Sequence, residues 1–159
     1  MVPQLGPNYI SCDYELAIIR AIQHTYPDTT ICGCFFHLCK NMKKHIGEQG
    51  LNRNYNNDAN FALNAKMITS LAFVPINDID IAVDALAEEL PEELQPILQW
   101  FEDYYIGRVN RGRAGRRPPV FSHEMWSVYE SITRRRQNEQ LRRISPQTPS
   151  GRTFSGSSQ

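Results

Sequence analysis

Residues 12–46 read CDYELAIIRAIQHTYPDTTICGCFFHLCKNMKKHI, and this stretch decides the fold of the chain. It predicts the end of a strand, a helix, a second short strand and a second helix. Asp13 stands at the first strand–helix junction, and Cys34 and His37 stand at the second. Because the carboxyl ends of neighbouring strands gather polar side chains in α/β sheets, we expect these three residues to lie close together.

Short strands are predicted at 7–12 and 29–32, and a helix at 14–25 joins them. Both helices place apolar residues at spacings of three and four, the pattern of a helix with one buried face. The first stripe is Leu16, Ile19, Ile22 and Tyr26, the second is Phe35, Leu38, Cys39, Met42 and Ile46, and the polar face of the second helix is His37, Lys40, Asn41 and Lys44.

The rest of the chain predicts helices without further strands. An Asn-rich loop at 52–57 precedes three helices, and Ser122 caps a last helix whose apolar pattern fails after Ile132. The stripes of these four helices are Phe61, Ala65, Ile68, Ala72; Ile79, Ala82, Val83, Leu86, Leu90; Leu94, Ile97, Leu98, Phe101, Tyr105; and Met125, Val128, Tyr129, Ile132. The acidic residues Glu88, Glu89, Glu92, Glu93, Glu102 and Asp103 are expected to form a solvated face.

These patterns predict a predominantly α-helical chain in five segments. The segments are a small α/β part at 8–50, a helical subdomain at 51–107, a basic loop at 108–121, a final helix at 122–144 and a disordered tail at 145–159.

The charges are divided along the chain. Residues 1–107 hold 6 Lys and Arg against 14 Asp and Glu, whereas residues 108–159 hold 11 Arg against 3 Glu. A basic arm of this kind suits phosphate backbones or acidic protein surfaces, although a solubilising connector has the same composition. The residues expected to contact a nucleic acid are His37, Lys40 and Lys44 on the second helix and Arg108, Arg111, Arg113, Arg116 and Arg117 in the basic loop.

The sequence has neither an apolar run near the roughly 20 residues of a membrane span nor the charged and apolar regions of a secretory signal. Four cysteines crowd into residues 12–39, which favours reduced thiols over a disulfide framework. We therefore expect an intracellular protein without a membrane partner. The Arg runs at 134–136 and 142–143 can act as a nuclear-import patch, which favours the nucleus.

Asp13 has two interpretations. As the N-cap of the helix that follows it, its carboxylate would accept hydrogen bonds from the first free N–H groups, and caps are common at such junctions. As a metal ligand it would serve phosphoryl transfer, which needs two or three carboxylates converging on Mg²⁺ ions about 3.5–4 Å apart. A single Asp does not suffice for that chemistry.

A cluster of potential zinc ligands, Cys32, Cys34, His37 and Cys39, lies within eight residues. Cys39 falls on the buried stripe, away from His37, and structural zinc sites draw on two ligand pairs well apart in sequence. Zinc is therefore disfavoured, and small buried cysteines explain the cluster. For His37, a phosphate contact and a hydrogen-bonded link to Cys34 or a nearby loop both stay open.

Residues 12–46 resemble the region around the second catalytic aspartate of Mutator-like element (MULE) transposases. In that family an Asp-aromatic-Glu start leads through a helix and a strand into a Gly-Cys-Phe-Phe-His block, which matches residues 33–37 here. LAFVP at 71–75, FEDYYIGR at 101–108 and RRPPVF at 116–121 are similar to later parts of the family. The resemblance covers about residues 8–131 and rests on several motifs in order.

The resemblance implies an RNase-H-like transposase core with a helical insertion after its last strand. Asp13 would match the second acid of the Mg²⁺-binding Asp-Asp-Glu triad, and Cys34 with His37 would match the family's Cys-x-x-His. The strands that carry the first acid and the block that carries the third are not recognisable, so we expect a domain truncated at both ends. Glu139, after Asn138, is the one nearby candidate for the third acid.

A fragment or degenerate copy of a DNA transposase with one recognisable acid is expected to be inactive alone, without productively bound Mg²⁺. DNA remains the expected partner, through the basic loop and the tail. A truncated sheet has exposed strand edges, so a second chain or a homo-oligomer is expected to complete it. The alternative is a non-enzymatic protein-interaction module built on the helical subdomain, in which Asp13 is only a cap.

Overall fold

Two parallel strands joined by a helix open the part of the chain that the computed structural model describes, residues 6–110 and 115–144. Strand β1 (Tyr9–Cys12) pairs in register with strand β2 (Thr30–Gly33) along all four residues of each. Helix α1 (Leu16–Thr25) makes the crossover that parallel pairing requires. The predicted strand–helix–strand order is confirmed.

Helix α1 is less buried than its apolar stripe predicts. Ile19 is buried and Ile22 partly so, but Leu16 and Tyr26 are both exposed. The physical reason is the width of the sheet: two strands about 4.8 Å apart do not cover the face of a helix about 10 Å wide.

Helix α2 (Phe35–Glu48) buries the predicted stripe. Leu38, Met42 and Ile46 are almost inaccessible to solvent, and Phe35 is packed against them. The polar face of α2 therefore points to the other side, as its sequence predicts.

The Asn-rich segment forms a helix, α3 (Asn52–Asn57), so the predicted loop is wrong here. Leu51 and Tyr55 are one helical turn apart and pack together against the core, and the Tyr55 N–H donates to the Leu51 carbonyl at 3.0 Å. Two apolar anchors thus outweigh the poor helix propensity of Asn. Asp58 then caps helix α4 (Ala59–Ser70) with its side chain.

Helices α5 (Ile79–Glu89) and α6 (Gln95–Phe101) complete the helical series, and α6 continues into a π-helical turn, Glu102–Ile106. Gly107 ends this turn with a positive φ of 89°, the role that its sequence position predicts. The predicted stripes of α4, α5 and α6 are confirmed. Ala82 is partly buried against the core, and the other members are buried: Phe61, Ala65, Ile68, Ala72, Ile79, Val83, Leu86, Leu90, Leu94, Ile97, Leu98, Phe101 and Tyr105.

The predicted final helix is in fact two helices, α7 (His123–Trp126) and α8 (Val128–Ile144), with extended backbone at Ser127 between them. The Trp126 indole donates to the Tyr105 carbonyl at 2.6 Å, and this buried bond holds α7 against the core. Ser127 is itself buried, and its hydroxyl caps α8 by accepting from the third N–H of that helix. The predicted stripe of the final helix is confirmed for Met125, which is buried, and for Val128, which packs against the core, but it is wrong for Tyr129 and Ile132, which are exposed.

One apolar core extends from Tyr14 to Trp126 and joins the α/β part to the helical series. At the junction the Tyr14 ring packs edge-on against Tyr105 and Phe121, with ring centres 5.4 and 5.1 Å apart. The α/β and helical segments thus stabilise each other, because they share these aromatic contacts.

The chain is predominantly helical, as predicted, and within the described residues its sheet has two strands. Among the helices of that part of the chain, none combines the length and the apolar character needed to cross a bilayer. The tail predicted at 145–159 lies outside the described residues.

Candidate functional site

The two strand–helix junctions meet at the carboxyl edge of the sheet. Cys12 and Gly33 are opposite each other in the register, and the Cys34 N–H donates to the Cys12 carbonyl at 3.2 Å. The ladder therefore continues one step beyond the strands and holds the start of α2 beside Asp13. This is the convergence that the sequence predicts.

Asp13 is not the N-cap of α1, so that interpretation is wrong. The helix starts at Leu16 with Glu15 in the cap position, and the Asp13 carboxylate instead accepts from the N–H of Tyr14 at 2.6 Å. The start of the helix is delayed because Tyr14 must first enter the core. The Asp13 side chain is left 46% exposed at the sheet edge.

His37 faces Asp13 from the first turn of α2. Its Nδ1 lies 3.9 Å from the Asp13 Oδ1, which is too long for a hydrogen bond. That nitrogen is shielded from solvent and has no hydrogen-bond partner within the described residues. The imidazole and the carboxylate thus face each other at this edge without a direct hydrogen bond.

The donor set at this edge does not fit the Mg²⁺ that the resemblance implies. Mg²⁺ requires octahedral oxygen ligation, and two-metal chemistry requires several converging carboxylates. Asp13 supplies one carboxylate and His37 supplies a nitrogen. Across residues 6–110 and 115–144, no group of three or more His, Cys, Asp and Glu side chains is arranged to hold a metal ion.

Glu139, the candidate third acid, is on α8, which approaches the opposite end of the sheet. The neighbouring Asn138 donates to the Tyr9 hydroxyl, and Asn138 and Leu141 line a cavity with Asp28 and Thr30, which precede or begin β2. Asp13 lies beyond the carboxyl end of β1, four residues after Tyr9. At 3.3 Å per residue it is about 13 Å from Tyr9 along the strand direction. The structure therefore does not bring Glu139 to Asp13.

Two buried tyrosines form the wall behind Asp13, and sequence reasoning missed both as parts of the site. The Tyr14 hydroxyl is buried without a partner in the described residues, and its ring occupies the space where a Cβ on Gly33 would lie. Burial raises the pKa of Tyr14 well above its usual range. Burial also raises the pKa of Tyr105 to about 12, with a further contribution from Asp13, whereas a hydrogen bond to Asn41 opposes the rise. Both phenols are neutral at physiological pH and cannot act there as bases.

The cysteines around this edge are free thiols. Cys34 occupies the N-cap position of α2 without a side-chain hydrogen bond to the helix. Cys39 lies on the apolar face of α2, as expected, but is only partly buried there. Burial is the main reason that the pKa of the Cys12 thiol is raised, and the Asp13 carboxylate adds to it. The Cys12 thiol is therefore disfavoured as a thiolate ligand.

Lys40 and Lys44 continue the polar face of α2 beyond His37, and both are exposed. Lys44 lies 3.8 Å from Glu48, a contact between exposed side chains that contributes little free energy. These cations remain accessible to a charged ligand.

The arginines of the basic loop differ in exposure. Arg108 pairs with Asp103 at 2.5 Å at the surface, and Arg117 is exposed. Arg111 and Arg113 lie outside the described residues.

Arg116 is almost buried. Its guanidinium donates to the carboxylates of Asp80 and Glu102 and to the Gly107 carbonyl. Arg116 therefore lacks the exposed guanidinium that the predicted nucleic-acid contact requires. Glu102, expected on a solvated face, is half-buried in this cluster, so that expectation is wrong for it.

Comparison of the chain with protein-family models, with curated proteins and with solved structures gives no match. The resemblance to MULE transposases therefore stays a prediction from sequence motifs.

Proposed function

We propose that this chain is a non-catalytic relic of a MULE-type DNA transposase domain that binds duplex DNA in the nucleus. The observation that supports this proposal is the 3.9 Å approach of His37 to Asp13 at the carboxyl edge of the parallel strands. The resemblance assigns these residues to two separate family motifs. A shared ancestry gives a reason for the two motifs to meet at one sheet edge.

Strand cleavage is not part of the proposal. One carboxylate cannot position two metal ions, and Glu139 lies toward the other end of β1. We expect no nicking of supercoiled plasmid when the purified chain is supplied with Mg²⁺, and Asp13→Asn should leave this result unchanged. Mg²⁺-dependent nicking that Asp13→Asn abolishes would refute the non-catalytic assignment.

The DNA-binding surface that we propose begins at the Asp13–His37 edge and follows α2. His37, Lys40 and Lys44 lie on successive turns and span about 10 Å along the helix axis. Arg108 and Arg117 supply further exposed guanidinium groups. Such a set can neutralise several phosphates without reading base sequence.

Salt dependence of duplex binding tests this surface. Fluorescence anisotropy with a labelled duplex should give an affinity that falls steeply with salt, with a slope of about −0.9 for each phosphate neutralised. The Lys40→Gln, Lys44→Gln double variant should reduce the slope by about 2. The matched control is Arg53→Gln, Lys66→Gln, which removes two exposed cations elsewhere and should leave the slope unchanged. Equal losses in both double variants would mean that only net charge matters.

A protein-interaction module is the second candidate, and exposed apolar side chains on the helical part favour it. Leu63, Phe73 and Ile81 are each more than half exposed. Within the described residues β1 also pairs along one side only, whereas α7 packs against β2, so the outer edge of β1 is the one left for a second copy of the chain. Failure to bind duplex DNA at low salt, together with a concentration-dependent dimer in sedimentation velocity, would favour this candidate over the first.

A further inference from the structure

A groove of about 360 Å³ lies between α2, α3 and α4, on the face of α2 opposite His37. We call it the α2–α4 groove. Its floor and walls are apolar and include Met42, Tyr55, Ala65 and Phe73. Phe73 stands half-exposed at one side, with its ring 5.0 Å from that of Phe35. Apolar surface left open in this way forgoes the contacts that a ligand would supply.

The charged residues that line the groove are both lysines. Lys43 projects from α2 and Lys66 from α4, and both are exposed. The Lys43 ammonium lies 5.7 Å from the centre of the Tyr55 ring, which keeps the cation at the rim. Neither lysine has a carboxylate partner in the part of the chain that the structure describes, in contrast to Lys44, which pairs with Glu48.

We propose that the α2–α4 groove binds a small amphipathic carboxylate of the size of a medium-chain fatty acid. Its apolar body would cover Met42, Ala65 and Phe73, and its carboxylate would lie between the two rim ammonium groups. The volume is in the lower part of the range of small-molecule pockets, which are mainly apolar with a few polar groups that fix orientation. The charge complementarity is specific, because a neutral ligand leaves both lysines unpaired.

The groove is independent of the proposed DNA surface. Lys43 and Lys66 lie on the groove side of their helices, whereas Lys40 and Lys44 lie on the polar face of α2. Loss of DNA binding therefore does not decide the outcome at the groove.

Calorimetric titration of the full chain with decanoate and with decanol tests the proposal, because the two probes share an apolar body and differ in charge. Decanoate should bind more tightly than decanol. The Lys43→Gln, Lys66→Gln double variant should weaken decanoate binding about tenfold, as two partly solvated ion pairs imply, and should leave decanol binding unchanged. Lys44→Gln is the matched control, since it removes the neighbouring cation outside the groove, and it should have no effect on either probe.

A separate measurement tests whether the probes bind in the α2–α4 groove. Ser70 is exposed and lines the groove, so Ser70→Phe should fill it and abolish binding of both probes, with folding checked by far-UV circular dichroism. Decanoate should also slow alkylation of Cys39 by iodoacetamide, followed by mass spectrometry, because the Cys39 thiol lines the same groove. This second readout holds even if Ser70→Phe does not fold.

Four results would overturn the proposal. The first is equal binding of decanoate and decanol, and the second is a loss in Lys44→Gln as large as in the double variant. The third is unchanged Cys39 alkylation at saturating decanoate. Binding of an acidic amphipathic peptide without binding of decanoate would also overturn it and would assign the groove to a protein partner.

Discussion

Replacing Arg116 by Ala should destabilise the protein far more than the same change at its neighbour Arg117. The Arg116 side chain is 12% exposed. Its Nη1 donates to the Glu102 Oε1 at 2.9 Å and to the Gly107 carbonyl at 2.7 Å, and its Nε donates to Asp80. These bonds connect the basic loop to α5 and to the π-helical turn. Arg117 is exposed and has no side-chain partner among the described residues.

The expected loss of stability in Arg116→Ala follows from how exposed its two carboxylate partners are. Asp80 is 65% exposed, so its pair with Arg116 contributes at most about 1 kcal/mol. Glu102 is 19% exposed, and a charge-assisted hydrogen bond in such a setting contributes about 1.5–3 kcal/mol. Truncation also leaves Glu102 half-buried without its cation. We expect Arg116→Ala to lower the free energy of unfolding by about 3 kcal/mol.

The pKa of Arg116 is shifted in the direction expected when its ion pairs are favourable. Burial by itself lowers the pKa of Arg116, but the hydrogen bonds to Glu102 and Asp80 outweigh it, and the pKa is raised. The ion pairs therefore compensate for the loss of hydration, and Arg116 stays charged at every accessible pH.

Equilibrium urea unfolding and thermal melting measure the effect. For a chain of this size a loss of about 3 kcal/mol lowers Tm by about 6–12 °C. Arg117→Ala is the control and should change stability by less than about 0.5 kcal/mol. Arg116→Lys should fall between them, because an ammonium keeps the charge but not the planar fork. A difference of less than about 1 kcal/mol between the two alanine variants would refute the reasoning from burial.

Three further changes have defined outcomes. Gly107→Ala should lower the free energy of unfolding in urea by at least about 3 kcal/mol, because φ is +89° and a Cβ would lie 1.9 Å from the Arg117 carbonyl oxygen. Gly50→Ala, at a position with a positive φ but open space, should lower it by only about 1 kcal/mol. Equal losses in the two variants would contradict the steric explanation. Burial raises the pKa of Tyr105 to about 12, whereas an unfolded tyrosine ionises near pH 10. The free energy of unfolding should therefore fall as the pH rises from about 10 through about 12. Urea unfolding at successive pH values should show a smaller decrease for Tyr105→Phe. Ser127→Ala removes the cap of α8 and should cost about 1 kcal/mol in thermal melts followed by circular dichroism; an unchanged Tm would show that the cap has no energetic role.

The sequence by itself predicts the order of elements and the buried faces of most helices. The stripe from Leu38 to Ile46 on α2 is buried as its spacing predicts. Asp13 and His37 lie at one sheet edge because the parallel strands end there. These features follow from periodicity, which is local: a helix turns 100° per residue whatever it packs against.

A prediction from local sequence is wrong where a tertiary contact changes the local structure. Asp13 has the right chemistry for a cap, but burial of Tyr14 delays the helix start. Residues 52–57 read as a loop, yet Leu51 and Tyr55 anchor a helix on the core. Trp126 docks on Tyr105, and the predicted final helix divides at Ser127.

Arg116 and Arg117 show most directly what only the tertiary structure decides. They are adjacent, identical in chemistry and part of the same basic run, so composition predicts one role for both. The fold buries the first against Glu102 and exposes the second. The sequence determines which sides of the helices avoid water and how many charges the chain carries. Which charges meet each other depends on how the loop at 108–121 packs on helices distant in sequence, because the energy of an ion pair depends on burial and distance rather than on residue type.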